Sequence, residues 1–362
     1  MMDLIDSATL FVIVQVVIVF GMIVFVHELG HFLAAKFVGV GVERFSLGFG
    51  PKIFGKQVGD TEYLVSAVPL GGYVKMIGEE VGEDAPPADI EKSFAHKPLP
   101  GRFLIVAAGP LFNLIAAIVV FAVLFVSFGI HVPLDIPRIG SVVPNLPAAK
   151  VGLEKGDEVL SVAGAPVATW KEMAEKIQQS QGQAIPFVVK KAKDGSTAEF
   201  TVQPESRDDP MGGGKKFAIG ITADSQVESV SLGRAMSLAV QETWMWSKLI
   251  FQNLVMLVTG NASPKELGGP ILIFQEAGRQ AKLGLDYLLR FAAIINVNLA
   301  IFNLLPIPIL DGGHLLFFSI EAVLGRPPSL RARELALRFG FLVILTLIVF
   351  VMYNDIARIV TG

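Results

Sequence analysis

Long apolar runs, with little helical or alternating periodicity inside them, dominate this chain. Four stand out, near residues 9–26, 103–128, 290–310 and 339–353. A helix that crosses a bilayer needs about 20 mostly apolar residues, and each run approaches that length with its flanks. They predict four transmembrane helices. The first, Leu10 to Val26, is interrupted only by Gln15. No basic stretch precedes it and no small-residue cleavage site follows, so it is expected to be a span and not a removed leader. A fifth stretch, Ala235 to Val258, is broken by Gln241, Glu242, Lys248, Gln252 and Asn253 and carries Trp244 and Trp246. That mixture predicts a helix lying on the membrane surface.

Between the second and fifth stretches the pattern becomes that of a soluble domain. Residues 133–224 read as strand, helix, strand, strand. Thr169-Trp170-Lys171-Glu172 is a capping box that opens a helix running toward Gln179. The segments 186–190 and 198–202 flank Lys193-Asp194-Gly195, which predicts a hairpin. Met211-Gly212-Gly213-Gly214 reads as a flexible loop without the pattern of a phosphate cradle. Near the first span, residues 61–76 are strand-like, with Tyr63 to Val68 bounded by Pro69 and Gly71-Gly72. These divisions give regions 1–128, 129–225, 226–285 and 286–362.

Composition agrees with a membrane protein. The chain of 362 residues is 52% hydrophobic and 17% charged, against about 25% charged in soluble domains. A net charge of -3 excludes a dominant basic surface, so no nucleic-acid partner is expected. Without Cys there is no thiolate zinc site, disulfide or Cys nucleophile. Lys36, Arg44, Lys52, Lys56, Lys75, Lys92, Lys97 and Arg102 fill the first inter-span segment, and Arg326, Arg331, Arg333 and Arg338 the last. Basic loops stay cytoplasmic, which puts both termini and the 129–285 segment on the outer side.

Chemistry enters at His27-Glu28-Leu29-Gly30-His31. On a helix, positions i and i+4 share a face, so both imidazoles reach one metal, and the intervening Glu suits a general base acting on water. Two imidazoles plus a carboxylate suit zinc and leave a fourth position open. The motif continues an apolar helix, where each ionisable group costs roughly 2.5–3.5 kcal/mol, so a function is expected there. A third ligand is expected from Asp311, at the end of the third span, behind Pro306 and Pro308 and before Gly312-Gly313. His314 competes for that role by spacing alone.

His27-Glu28-x-x-His31 with Asn303 and Leu310-Asp311-Gly312 resembles the site-2 protease family of intramembrane zinc proteases, in particular the bacterial regulator-of-sigma-E protease group. Phe94-x-x-x-Pro98, Arg102 and Ala108-Gly109-Pro110-Leu111-Phe112-Asn113 resemble the start of that family's second span. Gly71-Gly72-Tyr73-Val74-Lys75-Met76 resembles its membrane-associated β-hairpin. The resemblance implies Zn2+ held by His27, His31 and Asp311, Glu28 as catalytic base, and Asn303, Gly109 and Asn113 at the substrate. Residues 147–160 are similar to a bacterial PDZ domain, a module that binds extended peptides at a sheet edge. The expected fold is therefore a polytopic α-helical membrane protein with four transmembrane helices, a membrane-associated β-hairpin and an inserted, periplasmic, β-rich PDZ-like domain. The expected partners are single-span membrane proteins of the anti-sigma-factor or remnant-signal-peptide kind, the lipid bilayer, and a peptide or protein ligand of the PDZ-like domain, at a bacterial inner membrane. A substrate helix must unwind before attack, and the strand edge that holds it extended is expected from 61–76, at Tyr63 to Val68. A transporter would more often show repeated halves, and no repeat is present. A silent scaffold would have no use for Glu28.

Overall fold

The computed structural model describes residues 7–79, 87–208, 215–264 and 267–361. The glycine stretch expected as a loop, Met211 to Gly214, lies outside the described residues. The chain divides into two compact units, 1–127 with 231–362, and 128–230.

The first unit opens with α1 (Ser7–Val38), followed by β1 (Val42–Val58), β2 (Thr61–Met76) and α2 (Leu99–Phe128). Leu10, Phe11, Ile18 and Met22 on α1 are exposed while Val16 and Ile23 are buried, so apolar side chains point outward as well as inward. A bilayer makes that arrangement favourable. Gly30 lets α1 and α2 cross closely, because a methyl there would stand 2.8 Å from the Ala108 carbonyl carbon. Beside this crossing sits a core that includes Phe32, Phe45, Met76, Ile105, Val106 and Phe318.

The two long strands curl into more than a simple hairpin. Phe45, Ser46 and Leu47 pair with Val74, Tyr73 and Gly72, and also with Tyr63, Leu64 and Val65. The 63–65 segment pairs in addition with Lys56, Gly55 and Phe54. Tyr63 to Val65 are therefore interior to the sheet and cannot offer a free edge, contrary to the expectation from sequence. Gly72–Met76, also within the 61–76 segment, pairs on one side only, along residues 42–47.

The second unit holds β3 (Ile130–Pro133), β4 (Ile139–Val142), α3 (Pro147–Lys150), β5 (Glu158–Val162), β6 (Ala165–Pro166) and α4 (Trp170–Gln179). It continues with β7 (Ile185–Lys190), β8 (Thr197–Val202), β9 (Glu205–Asp208), β10 (Lys215–Ala218), β11 (Ile221–Ala223) and β12 (Ser225–Glu228). One four-stranded sheet has the order β6-β5-β7-β8, and β3, β4 and β9 pair with β12, β11 and β10. Thr169 caps α4 by accepting from the Glu172 N–H at 3.1 Å, and Glu172 accepts in return from Ala168 N–H. Val159, Val162, Met173, Phe187, Val189 and Val202 form the centre of an apolar core.

The first unit resumes with α5 (Leu232–Val258), α6 (Pro270–Leu283), α7 (Leu285–Asn303), α8 (Asp311–Leu324) and α9 (Leu330–Thr361). Among the described residues four helices are long and apolar enough to cross a membrane: Thr9–Val38, Leu99–Phe128, Leu285–Asn303 and Leu330–Val360. Two expectations shift. The third apolar run, 290–310, is not one helix, because α7 stops at Asn303 and a turn containing Pro306 and Pro308 intervenes. Proline lacks the N–H and disfavours helical geometry in its predecessor. Asp311 therefore opens a new helix and does not end the third span. Likewise Arg331, Arg333 and Arg338, assigned to a loop, lie on the first turns of α9. The far end of α9 is tied to α6, where the buried Asp355 accepts from Gly269 N–H at 2.8 Å and Leu272 N–H at 3.1 Å.

Candidate metal and catalytic centre

Helix periodicity brings His27 and His31 together on α1, with Nε2 atoms 3.2 Å apart. Asp311 meets them from the first turn of α8, a position favourable to an acidic group. Gly312 and Gly313 fix that turn, since a methyl on Gly313 would lie 2.7 Å from the Ile307 carbonyl carbon. The ligand atoms of His27, His31 and Asp311 all fall within 4.8 Å of one another. Asp311 Oδ2 is 3.2 Å from His27 Nε2 and 3.6 Å from His31 Nε2. It is nonetheless buried without a hydrogen-bond partner. Three electron-pair donors thus converge on one point, and a cation there would satisfy all of them. Two imidazoles and a carboxylate match the donor set of a catalytic zinc site.

Glu28 borders the same point from the opposite side of the α1 turn. Its carboxyl reaches the backbone of Val74 on β2, and a methyl on Gly72 would sit 3.5 Å from its Cγ. The outer edge of Gly72–Met76 therefore runs beside the acid, with the Met76 N–H donating to Glu79 at 3.2 Å. A cavity of about 560 Å³ holds His27, Glu28, His31 and Asp311 on one wall and Val74 and Met76 on another.

His314 lines this cavity one helical turn beyond Asp311 but stands outside the converging trio. The remaining sequence candidates are placed differently. Asn303 is the last residue of α7, half-buried, and Gly109 and Asn113 are buried on α2; none of the three lines the cavity. Gly109 instead lies against the Nε2–Cε1 edge of the imidazoles, where a methyl would collide with His31 Nε2 and lie 2.9 Å from His27 Cε1. Asn113 Nδ2 is 3.2 Å from His27 Nδ1.

Sequence reasoning missed the cavity's second wall. Arg102 forks onto Glu321 of α8 and donates through Nε to the Lys97 carbonyl at 3.1 Å. Its guanidinium also lies over the Phe318 ring, 5.1 Å from the centroid. The two partners are 219 residues apart, so no local pattern announces them.

Residues 15–347 match the family described as Peptidase family M50. A protein of Mesorhizobium japonicum, provisionally named a zinc metalloprotease, is 37% identical over 95% of this chain and 98% of its own length. Zinc metalloprotease RasP of Geobacillus kaustophilus is 31% identical over 97% of this chain and 99% of its own. Among solved structures, the PDZ domain of the SdrC-like protein of Listeria monocytogenes aligns with 26% of this chain and 93% of its own. Its identity of 23% and TM-score of 0.21 carry no argument about the fold.

Proposed function

Because the chain belongs to peptidase family M50, and is a multi-pass zinc metalloendopeptidase of the site-2 protease type, we propose that it cuts membrane-anchored proteins in or beside their spanning segments, with His27, His31 and Asp311 holding the zinc. The observation that carries this reading is the meeting of three metal-ligand atoms and an acid in one cavity that the β2 residues Val74 and Met76 also line.

Bound there, zinc supplies Lewis acidity to the scissile carbonyl and to a water molecule. Glu28 accepts the proton of that water and delivers it to the leaving amine. Gly72–Met76 pairs with the unwound substrate as an added strand, which aligns its carbonyl with the cavity. Within the 61–76 segment the role thus moves from Tyr63–Val65, which are paired on both sides, to Gly72–Met76. Asn303, Gly109 and Asn113 act on substrate only through the walls they support. The exposed Phe49, Ile53 and Phe54 of β1 place the curled sheet against lipid. α5 and α6 accompany the spans as amphipathic helices at the membrane surface.

The unit of residues 128–230 is a PDZ-like domain that takes an extended peptide or chain terminus at a sheet edge. The basic residues of the first and last inter-span regions hold those regions in the cytoplasm of a bacterial inner membrane. Both termini and the PDZ-like unit are then periplasmic. The substrates are single-span proteins of the anti-sigma-factor or remnant-signal-peptide kind.

The test is cleavage of a panel of single-span proteins by reconstituted enzyme, wild type against Glu28→Gln. Loss of the general base lowers the rate by about 10²–10⁴-fold. Equal cutting by the two forms would remove Glu28 from the chemistry.

A further inference from the structure

Each imidazole of the α1 pair has one nitrogen turned toward Asp311 and one turned away. The nitrogens turned away are both met by α2. His31 Nδ1 lies 2.9 Å from the Ile105 carbonyl oxygen. A carbonyl only accepts, so the His31 proton is on Nδ1 and its Nε2 lone pair points into the cluster.

The contact to His27 has the opposite polarity. Asn113 presents Nδ2, which only donates, to His27 Nδ1 at 3.2 Å. A ring that gives its Nε2 lone pair to a metal carries its proton on Nδ1, so what it needs at this position is an acceptor. The acceptor of the same amide, Asn113 Oδ1, is buried with no partner in a residue that is 0% exposed. A half-turn of the amide about its Cβ–Cγ bond brings that oxygen onto His27 Nδ1. With that oxygen there, His27 carries its proton on Nδ1, donates it to Asn113 and keeps the Nε2 lone pair for the metal.

We infer that Asn113 is a positioning residue of the metal centre: its buried amide meets His27 Nδ1, and its oxygen, turned to that nitrogen, accepts from Nδ1–H and leaves the Nε2 lone pair for zinc. The inference rests on the zinc reading of the site given above. It assigns Asn113 to the back of His27 and away from the substrate. Gly109, one helical turn earlier on α2, leaves the room in which both rings reach their α2 partners. The Ile105 carbonyl and the Asn113 amide are thus a matched pair of outer partners, one for each imidazole. Such outer partners set ring orientation and ligand basicity, and losing one lowers metal affinity about 10–100-fold.

The experiment measures zinc dissociation from the full-length chain in detergent or nanodiscs, by competition with a chelator of known affinity. Wild type is compared with Asn113→Leu, which removes the acceptor at nearly constant volume, and with Asn113→Asp, which can only accept. Asn113→Leu is expected to weaken zinc binding about 10–100-fold, and Asn113→Asp to bind at least as tightly as wild type. A residue needed only for packing would tolerate Leu and suffer from Asp. The inference is overturned if folded Asn113→Leu binds within twofold of wild type, or if Asn113→Asp binds more weakly than wild type. The Asp comparison decides the matter if the Leu variant does not fold. A wild-type chain that takes up no zinc overturns the metal-site reading itself, and this assignment with it.

Discussion

The two units of this protein are built on opposite plans. The interior of the 128–230 unit is apolar, and Asp157 is its one buried polar residue among those described. The larger unit buries His27, Asn113, Thr243, Asn296, Asn354 and Asp355 while exposing Leu10, Phe11, Phe103, Val119 and Phe341. Water drives the first plan, since removing apolar area from it is the main favourable term. In a bilayer the outside is already apolar, so burial of a polar group needs a reason of its own. In the larger unit two such reasons are visible. His27 and Asn113 meet each other at the candidate metal centre, and Asn354 and Asp355 bond to backbone groups of residues 264–272.

The lone buried charge of the smaller unit is the sharpest place to break this contrast. Asp157 binds Lys191 Nζ at 2.7 Å and accepts from Ala192 and Glu154 N–H. Replacing it with Ala strands Lys191, which keeps some contact with water, so the loss should be about 3 kcal/mol, at the low end for a broken buried pair. Hydrogen exchange across β5 and β7 in the full-length chain reads this out, with no change expected around α1. Burial raises the Asp157 carboxyl, but Lys191 and the two backbone donors outweigh it and hold the pKa below its ordinary value. A lowered folded-state pKa stabilises above the unfolded value of about 3.9, and that contribution is lost as pH falls through the folded value. The smaller unit should therefore loosen below about pH 4. Protection that is unchanged by Asp157→Ala would mean that its stability does not depend on this charge.

A weaker effect separates the strands of the curled sheet. Val74→Pro removes the backbone donor that meets the Glu28 carboxyl at the outer edge of β2, worth about 1 kcal/mol, so kcat/KM for a single-span substrate should fall about fivefold to tenfold with zinc content unchanged. An unaffected rate would take the edge out of substrate binding. The smallest effect is Thr169→Ala at the start of α4, expected to cost about 1 kcal/mol in the smaller unit and nothing in cleavage of a peptide bound only at the cavity. Thermal unfolding followed by proteolysis within 128–230 measures it.

Local features of this molecule were legible in the sequence and distant ones were not. The i, i+4 spacing placed both imidazoles, and the capping box at Thr169 and the hairpin around Gly195 depend on residues within a few positions. Asp311 was recognisable by type, and Pro306 and Pro308 marked the break in the helix before it, but that a new helix opens at Asp311 was hidden among the apolar residues around the turn. The double pairing of residues 45–47 put 63–65 inside the sheet, and no alternation pattern records which side of a strand is already taken. The Ile105 carbonyl that orients His31 is a backbone group, which any residue type would supply.

The most direct test of the metal centre is zinc per chain, measured by metal analysis on purified wild type, Glu28→Gln and Asp311→Asn after a chelator wash. One zinc is expected in wild type and in Glu28→Gln and none in Asp311→Asn, with neither variant cutting substrate. An Asp311→Asn chain that keeps its zinc and its activity would contradict the account and shift the third ligand to His314.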